Sequence, residues 1–91
     1  MRPISHAIPG ALVELLREAP VSAGKIDLAW SAAVGAAIHR VTSVRLEGTV
    51  LLVDVAGEPW AREVGRSIPT ILPRLQALLG KETVSAIQVR R

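Results

Sequence analysis

The chain contains no cysteine, which excludes disulfides, thiolate nucleophiles and the common structural zinc sites together. Histidine is nearly as scarce. His6 and His39 are the only two, and neither has the partners that a metal site or a catalytic base would need. No apolar run approaches the ~18 residues that a membrane span requires. The start, Met1-Arg2-Pro3-Ile4-Ser5-His6, has one charge and no long apolar stretch behind it, so it does not read as a secretory signal. Phosphate-loop chemistry is missing too. Gly80-Lys81-Glu82-Thr83 has the Gly-Lys step, but a phosphate loop would need glycine at Leu75 and a hydroxyl at Glu82, and it must open a helix rather than close one. Ser67 has no recognisable base. The expectation is a cytoplasmic non-enzyme with no catalytic residues, no metal, no cofactor and no membrane partner.

What remains is enough for one fold. Ninety-one residues, 49% apolar and 21% charged, describe a single globular domain whose stability comes from packing. Eleven Lys/Arg stand against eight Asp/Glu for a net charge of +3, and nine of the eleven are arginines. A charge this small permits nucleic-acid binding without arguing for it. An Ala/Arg/Gly-rich composition has a simpler source in base composition.

The stretch Val44 to Trp60 organises the pattern. Val44 and Leu46 alternate with Ser43 and Arg45, Glu47-Gly48-Thr49 supplies a turn, and Val50 to Val55 is apolar except at Asp54, which together predict a hairpin. Pro59 suits the opening of a helix, where its missing N–H is not needed. Trp60 follows in the first turn, where its ring is expected to fold back and be buried against the hairpin. Ile8 to Glu18, with Leu12, Leu15 and Leu16 on one side, predicts a short amphipathic helix. Ser22 is placed to cap a second helix over Ala23 to Ile38, with Ile26, Trp30, Ala33/Val34 and Ala37/Ile38 as its core side. Gly35 inside it signals close packing or a local bend, and His39 and Arg40 suit its end.

Strands are expected at Val41–Leu46 and Val50–Val55. With Val44, Leu46, Leu51, Val53 and Val55 facing the core, Val41, Val50 and Leu52 face the other way and await cover from the first helix or a partner. From Pro59 the apolar spacing is helical throughout, but Pro69 and Pro73 predict two helices, Pro59 to Gly65 and Pro69 to Leu79. Gly80 ends the second, and Val84 to Arg90 is a final strand. The order is α-α-β-β-α-α-β, an α+β domain with helices on a three-stranded mixed sheet.

One basic feature follows from this layout. The joint Gly65-Arg66-Ser67-Ile68 has the place, though only the first glycine, of the loop with which KH domains clamp a nucleic-acid backbone. Arg62, Arg66 and Arg74 cluster near it, and Arg90 and Arg91 close the chain. These five are the candidate contacts for weak binding of single-stranded DNA or RNA. A solvated helix face explains them as simply.

Taken in order, the residues resemble a known family. Trp30 with Val34-Gly35 and Ile38, the hairpin Leu46 to Val55, the run Pro59-Trp60-Ala61-Arg62-Glu63-Val64, then Leu72 to Leu75, Gly80 and Val84 to Val89 look like the DciA family of bacterial replicative-helicase operators. The resemblance implies a single KH-like domain, with 1–22 as N-terminal helix and linker and 23–91 as the family core. It also implies an adaptor that binds the DnaB-type replicative helicase without an ATPase of its own. It makes Trp60, with Ala61 and Val64, the candidate helicase contact. Many members carry a basic extension beyond the domain; here the sequence stops at Arg90-Arg91, so strong DNA binding is not expected. The alternatives are a nucleic-acid-binding module without a helicase role, and a self-associating domain that forms a homodimer through Val41, Val50 and Leu52.

Overall fold

The computed structural model describes Gly10 and residues 20–90. The first predicted helix, Gly10 apart, and Arg91 lie outside the described residues. From residue 20 the order is helix α1 (Ala23–Val34), helix α2 (Ala36–Arg40), strands β1 (Thr42–Glu47) and β2 (Val50–Val55), helix α3 (Glu58–Leu79) and strand β3 (Ala86–Arg90). The sheet runs β1-β2-β3, with β1 antiparallel and β3 parallel to β2. The fold is therefore α+β with a three-stranded mixed sheet. Its parallel pair needs a crossover, and α3 is that crossover.

Local chemistry sets the element ends. The Ser22 hydroxyl accepts from the Lys25 N–H at 3.1 Å, as expected of a cap. Gly48 opens the two-residue β1–β2 loop at φ 61, the sign that the first position of a type II′ turn requires. Gly35, at φ 87 and ψ 168, ends α1 early and splits the predicted helix in two. The bend was legible, but close packing is not its cause: a Cβ there would meet nothing within 4 Å.

The prolines correct the largest expectation. Pro69 and Pro73 lie inside one continuous α3, not at a break. Each removes a bond to the carbonyl four residues back, Gly65 or Pro69, and all three residues are exposed, so water can serve those carbonyls. The opposite face buries Val64, Ile71, Leu75, Leu78 and Leu79. At ~1.5–3 kcal/mol per buried side chain against about 3 kcal/mol per helical proline, packing outweighs the two defects.

The core joins α1 (Ile26, Ala29, Trp30, Ala33), β2 (Leu51, Val53, Val55), that face of α3, and Val84. Val44 and Leu46 pack against it from β1, as the alternation predicts. Val84 is fully buried although β3 begins two residues later, at Ala86. Trp30 is the centre of the core. Its ring is 0% exposed, and its indole N–H donates to Thr42 Oγ1 at 2.8 Å while that hydroxyl donates to the Ile38 carbonyl at 2.8 Å. This relay ties α1, α2 and β1 together and leaves no buried donor unmet.

On the outer sheet face the apolar patch is smaller than predicted. Leu52 is only 6% exposed and lies between Arg45 and Gln88 in the register. Val41 stands at the end of α2, outside β1. Little apolar surface is left there for a face-to-face dimer.

Candidate functional site

The site is built at the opening of α3. Gly57 takes φ 98 and ψ 155 before the helix, and Pro59 stands in its first turn. Helix phase then decides what faces inward. Ala61 packs partly against the core and Val64 is completely buried, so these two occupy the inward positions of the first turns. Trp60 precedes Ala61 by one residue and falls on the flank. It is 37% exposed, which overturns the expectation that its ring is buried against the hairpin. The three candidate contacts thus divide. Trp60 offers surface, whereas Ala61 and Val64 seat the turn that presents it.

The flank carrying Trp60 continues along α3 through Ser67 and Arg74 at seven-residue spacing. There a cleft of about 230 Å³ separates α3 from the end of α1 and from α2. Val34 and Ile38 form one wall, and Ser67, Thr70 and Ile71 form the other. Arg74 closes the seam by donating from Nη1 to the Ala33 carbonyl at 3.1 Å, the end of α1 where a cation meets unpaired carbonyls. His39 Nε2 lies 3.1 Å from Asp27 Oδ1 and holds α2 back against α1.

The described arginines of the candidate nucleic-acid contact occupy three settings. Arg62 lies 3.9 Å from Glu58 and Arg66 2.8 Å from Glu63, exposed pairs on α3 that contribute little. Arg74 belongs to the α1–α3 seam. Arg90 donates from Nε to Asp54 Oδ1 at 3.1 Å, across neighbouring strands on the outer face. Arg91 lies outside the described residues. The predicted joint that would gather them is absent, because α3 runs unbroken through Gly65 and Ile68. A backbone clamp needs a loop there, so the clamp reading is corrected.

Sequence reasoning missed Val34, Ile38 and Thr70 as cleft walls. Their roles depend on how Gly35 turns α2 toward α3, which no local pattern states. Among the described residues no group of three His, Cys, Asp or Glu side chains could hold a metal ion, and no helix is long and apolar enough to cross a membrane.

Comparison with known proteins gives one result. No curated protein and no solved structure matches the chain. Residues 3–89, nearly its whole length, match the family described as Dna[CI] antecedent, DciA. A match this long decides membership: the chain belongs to the DciA family, which is associated with loading of the DnaB helicase.

Proposed function

We propose that the protein is a non-enzymatic adaptor of DNA replication, binding the DnaB-type replicative helicase in the cytoplasm and assisting its loading or operation. The observation that carries this reading is the exposure of Trp60. A tryptophan held at the surface on a rigid helix is a costly feature for a small domain, and such residues are the usual anchors of protein interfaces. It stands where the family resemblance puts the contact. Val64 beneath it fixes the first turns of α3, and the cleft beside Ser67 and Ile71 extends the docking surface along the same flank. Arg62 and Arg66 are the described arginines placed to add a weak, salt-dependent contact to DNA or RNA.

The test is isothermal titration of the protein into the DnaB-type helicase of its own organism, at low and high salt. Saturable heat that persists in high salt is expected, and Trp60→Ala should remove it while leaving the chain folded. Absence of heat with the wild-type chain at tens of micromolar, a range in which ~7 kcal/mol of binding would register, contradicts the proposal.

A further inference from the structure

Among the described residues, Leu52 is the one buried apolar side chain that stands outside the core. It lies on the central strand, points away from Leu51 and Val53, and is 6% exposed. All three described helices contribute to the core on the other side, where Leu51 and Val53 lie. The neighbours of Leu52 on the outer face do not explain its burial. Arg45 and Gln88 flank it in the register, but Gln88 is exposed, and the Arg45 side chain, 59% exposed, runs along β1 to Glu47 at 3.1 Å. Arg90 is likewise turned to Asp54 at 3.1 Å. Some other part of the chain lies over Leu52.

The residues of β2 carry the same message. Val50-Leu51-Leu52-Val53-Asp54-Val55 is apolar at positions facing both sides, which is the composition of a strand covered on both faces; a strand open on one side alternates. One segment is placed to give the second cover. Ile8 to Glu18 carries Leu12, Leu15 and Leu16 at helical spacing, an apolar stripe that calls for burial. Gly10, its one described residue, has helical backbone and is exposed, and on a helix it falls opposite Leu12. Val21 and Ser22 share a depression at the β1 edge with Arg45, an outer-face residue, so the described chain begins beside that face. Residues 19–22 extend over ~13 Å, enough to round the edge strand, and Leu52 lies one strand, ~4.8 Å, further in. A helix from Ile8 to Glu18 is ~16 Å long, enough to cross the three strands.

We propose that the segment Ile8–Glu18 lies as a helix across the outer face of the sheet, with its leucine stripe on Val50 and Leu52. The sheet is then covered on both sides, and this face is closed to a second copy of the chain. The proposal does not rest on the helicase reading.

Introduced cysteines test it, since the chain has none of its own. In the full chain, Leu52→Cys should react slowly with a maleimide at a rate independent of protein concentration, as should Val53→Cys on the inner face. Adding Leu12→Asp, Leu15→Asp and Leu16→Asp should speed labelling at position 52 by roughly tenfold or more and leave position 53 protected. In chains carrying two cysteines, at least one of Leu12→Cys, Leu15→Cys and Leu16→Cys should close a disulfide within the chain to Val50→Cys or Gln88→Cys on the outer face. None should close to Leu28→Cys on α1 or Val44→Cys on the inner face. Labelling at position 52 that the aspartates do not change overturns the proposal. So do closure to positions 28 or 44 instead, no closure within the chain, or disulfides that form only between two chains, which would make a second copy the cover. If the aspartates release position 53 as well, the disulfide pairs alone decide.

Discussion

The two tryptophans of this chain show how differently one residue type can be used. Trp30 and Trp60 both stand on helices at apolar positions, and both belong to the pattern that resembles DciA proteins. Trp30 faces inward from the middle of α1, has no exposed surface and gives its N–H to Thr42. Trp60 rides the first turn of α3 and keeps over a third of its surface exposed. The difference lies in helix phase. Trp30 shares the inward stripe with Ile26, Ala29 and Ala33, whereas Ala61 and Val64 take the inward places beside Trp60. One ring is spent on the fold, and the other keeps part of its surface in solvent.

The comparison would break first at Trp30. Trp30→Ala should cost about 3–5 kcal/mol, a large share of the ~5–15 kcal/mol that holds a domain of this kind together, and urea denaturation should show a chain unfolded or nearly so. A loss no greater than that of Trp60→Ala would erase the distinction. The next largest effect should be a gain. If α3 carries Trp60 as the first turn of one continuous helix, Pro69→Ala or Pro73→Ala should stabilise the protein by up to ~3 kcal/mol, with no change in the accessibility of Trp60 to acrylamide; destabilisation would indicate a break there after all. Thr42→Val sharpens the Trp30 side. It leaves the buried indole N–H without an acceptor and should cost about 1–3 kcal/mol in the same denaturation experiment. Trp60→Ala should cost clearly less than Trp30→Ala, because over a third of its surface is already in solvent, although its effect on helicase binding should be complete.

Much of this was legible in the sequence, and the misses have physical causes. The hairpin could be read because Val44, Leu46, Leu51, Val53 and Val55 alternate and Gly48 supplies the turn. The Ser22 cap and the Gly80 stop were local chemistry, and local chemistry was enough. Pro69 and Pro73 misled because their cost is local while the compensation, five buried side chains on the far face of α3, is tertiary. Trp60 misled for a related reason: a large apolar residue argues for burial on average, and only the phase of α3 against the sheet decides which residue of its first turn goes inside. The cleft between α3 and the end of α1 was invisible, since it depends on where Ile38 lies once Gly35 has separated α2 from α1. Of the proposed arginine cluster, Arg62 and Arg66 lie on an exposed face of α3, as a solvated helix face predicts, but gathering the others with them depended on a helix joint that the fold does not have.

One measurement bears most directly on the claim that Trp60 is the partner contact. Because the chain has two tryptophans, Trp30→Phe leaves Trp60 as its sole tryptophan, and a helicase whose own tryptophans are replaced makes it the sole one in the mixture. On titration with that helicase, Trp60 emission should shift to the blue and lose its access to acrylamide in a saturable way. Formation of the complex with Trp60 emission and quenching unchanged would contradict the account.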